Sequence, residues 1–161
     1  MNLPNNIKSQ YHAALAMLKE VIEKCPPEMW NDPQDQNKFW HVTYHTLFYT
    51  HLYLSTRQED FKPWEGHREN YQYFVLPWPP YDFPKIEEPY TSEELLTYLE
   101  VCWYFADNQI STLDLEAGSG FSWQSGNKLE LVIYNLRHIQ QYIGELMERL
   151  GNRAKIDVDW K

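Results

Sequence analysis

Apolar residues recur at three- and four-residue steps in four segments of the chain, a spacing that places them on one face of an α-helix. In residues 5–24 the apolar stripe is narrow, and it ends at Pro26 and Pro27, which cannot continue a helix. In residues 35–55 apolar and weakly polar residues occupy most faces, which is typical of a helix buried among other helices. The β-branched and aromatic residues of this second segment also suit a strand, but its length favours a helix with Asp32 and Asp35 as capping residues.

The two C-terminal segments have clearer boundaries. Thr91 and Glu94 form the sequence pattern of a capping box, which predicts a helix over residues 91–112. Residues 127–150 carry a second regular apolar stripe. Gly151 follows this stripe directly, and a glycine at that position predicts the end of the helix.

More than thirty residues, about 56–90, separate the second and third helical segments and show no helical period. This connection is rich in proline and aromatic residues, and loops of such length are uncommon in compact domains. Its aromatic side chains predict that it packs on the helices. We therefore predict an all-α protein, a four-helix bundle that forms one domain over residues 1–161. The long irregular connection allows the second and third helices to run parallel.

Composition excludes several classes of partner. The chain carries 14 Lys and Arg against 23 Asp and Glu, a net charge of −9, which predicts no nucleic-acid surface. The longest uncharged run, residues 39–56, holds three histidines and four threonines, so we expect no membrane partner. The chain start shows no signal-peptide pattern, and two cysteines are too few for a disulfide framework. We expect a reduced, cytoplasmic protein.

Two histidines of the second helix have the spacing of a metal-binding pair. His41 and His45 are four residues apart and share a helix face, which Phe48 and Leu52 are expected to continue into the bundle. Two imidazoles at this spacing can bind one metal ion. The alternative interpretation is a pair of core histidines that hydrogen-bond to hydroxyl groups or to the backbone.

The fourth helix carries a polar seam on its apolar side, formed by Tyr134, His138 and Gln141. Buried polar groups need partners, so this seam suits the histidine face of the second helix. One histidine from each helix could hold a divalent ion, together with a third ligand.

Two segments of the chain carry a family resemblance: Lys38-Phe39-Trp40-His41-Val42-Thr43-Tyr44-His45-Thr46-Leu47 and Tyr134-Asn135-Leu136-Arg137-His138-Ile139-Gln140-Gln141-Tyr142-Ile143. They resemble the second and fourth helices of the DinB/YfiT-like metalloenzyme superfamily. The resemblance implies a four-helix bundle, often dimeric, with one metal-binding histidine on helix two and two on helix four. His45 matches the first of these positions and His138 matches the last. Tyr134 stands where the family has the middle histidine.

The substitution at Tyr134 leaves three outcomes open. The metal site is lost, or His41 supplies the third ligand, or Tyr134 and water complete a weaker site. The resemblance implies a divalent cofactor, Zn or Ni, and either thiol transfer or hydrolysis of a small molecule. We expect a small-molecule pocket centred on His45 and His138 and lined by His41, Tyr134 and Gln141, with the aromatic connection over its mouth.

A second hypothesis places the protein in a different class. A homodimeric, non-enzymatic binding or stress-related module would keep the bundle and lose the metal site. The aromatic residues between Trp64 and Phe83 would then form a surface for a partner or for self-association. The missing third histidine favours this hypothesis, whereas the two remaining histidines favour the first.

Overall fold

The four predicted long helices are present in the computed structural model, which describes residues 2–161. They are α1 (Leu3–Lys24), α3 (Phe39–Tyr53), α4 (Ser92–Gln109) and α5 (Lys128–Arg149), and a short helix α2 (Pro27–Trp30) follows α1. A 3-10 turn (Gln58–Asp60), a π-helical turn (Leu150–Ala154) and no β-strand complete the regular structure of these residues. The protein is therefore an all-α helical bundle. No helix in this part of the chain is both long and apolar enough to span a membrane.

Helices α3 and α4 run in the same direction, as the long connection between them allows. Tyr44 of α3 packs against Tyr98 of α4, with ring centroids 5.9 Å apart. Two turns further along α3, His51 packs against Phe105, two turns further along α4, at 4.2 Å. Helix α1 packs on α4 and α5, and α3 contacts both of those helices as well. The four helices enclose a large aromatic-rich core, and Tyr53, Phe121 and Leu131 form a second, smaller cluster.

The second helix begins four residues later than its sequence pattern predicts. Asp32 and Asp35 were expected to cap it, but both carboxylates form ion pairs with Arg153, and Asp32 also accepts a hydrogen bond from the backbone of Gln34. Helix α3 follows Lys38, whose side chain makes no capping hydrogen bond. The prediction was wrong because these acidic groups hold the C-terminal turn of the chain against the α2–α3 segment.

The predicted glycine cap at Gly151 is also wrong. Helix α5 widens into the π-helical turn Leu150–Ala154, which includes Gly151. The left-handed residue that ends the turn is Lys155, with φ 60°, and its N–H donates to the carbonyl of Leu150. The capping box at the start of α4 is confirmed, since Thr91 and Glu94 each accept a hydrogen bond from the backbone of the other.

The connection between α3 and α4 is only partly packed on the bundle. Trp64 stacks on Tyr98 of α4, with ring centroids 4.7 Å apart and planes 10° apart. The hydroxyl of Tyr71 accepts hydrogen bonds from the backbone N–H groups of Glu87 and Glu88, which ties two parts of the connection together. The expectation that its aromatics are packed is therefore confirmed for these residues. It is wrong for the exposed part of the connection, which includes Trp78, Tyr81 and Phe83.

Candidate functional site

His45 and His138 meet in the middle of the bundle, where α3 and α5 pack side by side. Their Nε2 atoms are 3.2 Å apart. The two helices run in opposite directions, because His45 also contacts Tyr142 whereas Tyr53, two turns later on α3, contacts Tyr134. The antiparallel packing thus brings together the two histidines that the sequence pattern assigned to facing helices.

The hydrogen bonds of His45 fix its tautomer. Its Nδ1 lies 2.7 Å from the carbonyl oxygen of Gln72, which can only accept, so Nδ1 carries the proton. The lone pair of Nε2 therefore points toward His138. In the metal-free pair, the Nε2–H group of His138 donates to this lone pair, and Nδ1 of His138 is buried with no hydrogen-bond partner. A hydrogen bond from one ring nitrogen to a backbone carbonyl, as His45 makes to Gln72, is typical of histidines that bind a metal through the other nitrogen.

Both histidines are held in the neutral form. Burial lowers the pKa of His45 from 6.5 to about 3, against an opposing contribution from the Gln72 carbonyl, and proximity to His138 lowers it further. Burial lowers the pKa of His138 to about 4. A neutral imidazole is the form that can donate a lone pair to a metal ion, so the pair needs no net loss of a proton at neutral pH. To bind a metal through Nε2, His138 would have to carry its proton on Nδ1 instead.

Aromatic rings pack around the pair, of which His45 is buried and His138 is half-buried. Phe74 from the long connection stacks on His45, with centroids 4.2 Å and planes 18° apart. Tyr49 packs on both histidines, at 4.7 Å from His45 and 5.5 Å from His138. Tyr142 closes the side formed by α5, 4.9 Å from His138. The connection therefore covers the pair through Phe74 and through the backbone of Gln72.

His41 is not brought to the pair. Its Nε2 donates to the carbonyl oxygen of Tyr71 at 2.8 Å, and its ring stacks on Trp40. Burial lowers the pKa of His41 as well. The arrangement matches the alternative interpretation of His41 as a core histidine with a backbone partner.

Tyr134 and Gln141 lie at the edge of the site. The ring of Tyr134 packs between Trp123 and Tyr53, at 5.5 and 5.8 Å. Gln141 is exposed on α5. Among residues 2–161, no group of three His, Cys, Asp or Glu side chains is placed to hold one metal ion. The pair therefore offers two protein ligands.

Sequence reasoning missed Tyr49 and Gln72. Phe48 and Leu52 were expected to continue the face of His45, but Phe48 packs against Phe61 of the connection. Tyr49, four residues after His45, is the residue that continues this face, and a strict four-residue step would have found it. Gln72 acts through its backbone carbonyl, so no side-chain signal identifies it.

Comparisons with known proteins leave the site to be judged on its geometry. No protein-family model, no curated protein and no solved structure matches this chain.

Proposed function

We propose that the chain is a DinB-like protein that binds one divalent metal ion between His45 and His138 and acts on a small molecule by thiol transfer or hydrolysis. The 3.2 Å separation of the two Nε2 atoms carries the proposal. With metal–nitrogen bonds of about 2.0–2.1 Å, this separation corresponds to an angle of roughly 100° at the metal, close to tetrahedral. The neutral imidazoles and the carbonyl contact of His45 add support.

The donor set fits a weakly held catalytic ion better than a structural one, because structural zinc sites have four protein ligands. When bound, such an ion lowers the pKa of a coordinated water or thiol and so supplies a nucleophile at neutral pH. In this site Gln72 would orient the ring of His45 so that its Nε2 lone pair points at the ion. Phe74, Tyr49 and Tyr142 would shield the His45 side of the site from bulk water.

A second candidate, a non-enzymatic homodimeric binding module, is favoured by one observation. Tyr134 replaces the third histidine of the family and packs on Trp123 and Tyr53. In that protein the two imidazoles would form only an N–H···N hydrogen bond. Both candidates include a homodimer in the cytoplasm, where Cys25 and Cys102 remain free thiols, as they are in the structure.

Thermal unfolding with added metal separates the two candidates. A ligand at a hundred times its Kd stabilises the folded state by about 2.7 kcal/mol, which is roughly 5–10 °C in Tm for a chain of this size. We expect such a shift with Zn or Ni in the untagged protein, and none in the His45→Ala/His138→Ala variant. His12→Ala is the matched control, since His12 pairs with Asp107 on a different face. Equal shifts in the double variant and the wild type would contradict metal binding at the pair.

A further inference from the structure

A cavity of about 180 Å³ lies between the first turn of α3 and the connection around residues 83–86, and the ring of Phe74 separates it from His45. Trp40, Phe74 and Ile86 give it apolar walls, and Phe83 stands at its exposed side. Cavities of roughly 150 Å³ with apolar walls bind benzene. This cavity therefore has room for one flat ring.

Phe74 is shared between the cavity and the histidine pair. Its ring borders the cavity and also stacks on His45 at 4.2 Å. The same ring contacts His41 edge-on at 5.1 Å and Tyr142 at 5.8 Å. This one side chain therefore stands between the cavity and the ring of His45.

The polar end of the cavity has the character of an anion site. Lys38, His41 and the amide residues Asn31, Gln36 and Asn37 line it, and no carboxylate does. Asp35, three residues before Lys38, is already paired with Arg149 and Arg153. The ammonium group of Lys38 donates to the backbone carbonyl of Asp35 and keeps donors free for a ligand.

We propose that this cavity binds the substrate of the His45–His138 site, as a flat apolar molecule of about benzene size that carries an anionic group. The apolar ring lies between Trp40 and Ile86, and the anion lies at Lys38. The ring of Phe74 forms a partition between the cavity and His45, and it moves aside when the substrate reaches the pair. This assignment rests on the proposed function for its chemistry, but the cavity and the partition can be tested without metal.

The ligand class is tested with benzoate and benzylamine, which have the same ring and opposite charges. In NMR titrations of metal-free protein, we expect benzoate to bind at least about five times more tightly than benzylamine, with shifts at the Trp40 indole. Lys38→Gln should weaken benzoate binding about tenfold, as expected for the loss of a charged hydrogen bond. Lys85→Gln, on the exposed connection, should leave it unchanged. Tighter binding of benzylamine, or no effect of Lys38→Gln, would overturn the assignment.

The partition is tested by the reaction of His45 with diethylpyrocarbonate, followed by peptide mass spectrometry on metal-free protein. Phe74→Ala should speed the modification of His45 at least about tenfold, and Phe74→Leu provides a second variant if alanine destabilises the fold. Phe83→Ala, which opens the cavity without contacting the pair, should change the rate less than twofold. Equal rates in all variants would overturn the partition. If benzoate binding and the modification rates of the Phe74 variants are as expected but zinc does not bind, only the metal proposal fails. If zinc binds but benzoate binding and the modification rates are not as expected, only the cavity assignment fails.

Discussion

The buried neutral state of His45 predicts a specific loss of stability in acid. In the unfolded chain the pKa of this histidine returns to about 6.5, whereas burial holds the folded value at about 3. Below pH 6.5 the unfolded chain therefore takes up a proton that the folded protein does not. The contribution of His45 to the free energy of unfolding is therefore fully present above pH 6.5. It falls by about 1.4 kcal/mol per pH unit as the pH is lowered from there toward the folded-state pKa. At pH 5 the loss reaches about 2 kcal/mol.

The change His45→Gln removes this proton uptake and keeps a hydrogen-bonding side chain. At pH 7.5 we expect the variant to be about 1–2 kcal/mol less stable than the wild type, because it loses the contacts with Gln72 and Phe74. At pH 5 this difference should shrink by about 2 kcal/mol. Urea unfolding with a chelator present measures both values. Tyr142→Phe is the control, since it alters a ring that packs on both histidines without removing a group that titrates between pH 5 and 7.5. Identical pH slopes in wild type and His45→Gln would refute the reasoning.

Three further changes test how the bundle is held around the site, each by urea unfolding at pH 7.5. Thr91→Ala removes one half of the capping box of α4 and should cost about 1 kcal/mol, whereas an unchanged stability would contradict the role of the cap. Lys128→Met should lower the free energy of unfolding by about 1–3 kcal/mol, because the buried ammonium group donates to the carbonyls of Ser55 and Thr56 after α3. An unchanged free energy would show that water replaces the ammonium group as the donor to these carbonyls. Lys155→Gly should stabilise by roughly 0.5–1 kcal/mol, since φ is 60° there, and a loss would argue against that backbone conformation.

The bundle could be predicted from the sequence because its helices are amphipathic or uniformly apolar over long segments. The helix boundaries were less predictable where side chains act at long range. Asp32 and Asp35 have the right chemistry for capping, but Arg153 lies more than a hundred residues away and uses both. Such pairings leave no local trace in the sequence.

The part of the candidate site that lies on helices could be predicted from the sequence, and the part on the irregular connection could not. His45 and His138 follow from helical spacing on two facing helices. The Gln72 carbonyl and the Phe74 ring do not, because an irregular connection has no periodicity from which its contacts can be derived. The cavity beside Phe74 also depends on how this connection folds against the first turn of α3.

Elemental analysis of the untagged protein measures the central claim directly. The paired Nε2 atoms of His45 and His138 predict close to one bound Zn or Ni per chain after equilibrium dialysis against a metal buffer. The His45→Ala/His138→Ala variant should retain none, and Tyr134→His, which adds a third histidine one turn before His138, should retain metal against a stronger chelator. A wild-type protein that retains no more metal than the double variant, with Tyr134→His equally metal-free, would contradict a metal site at this pair.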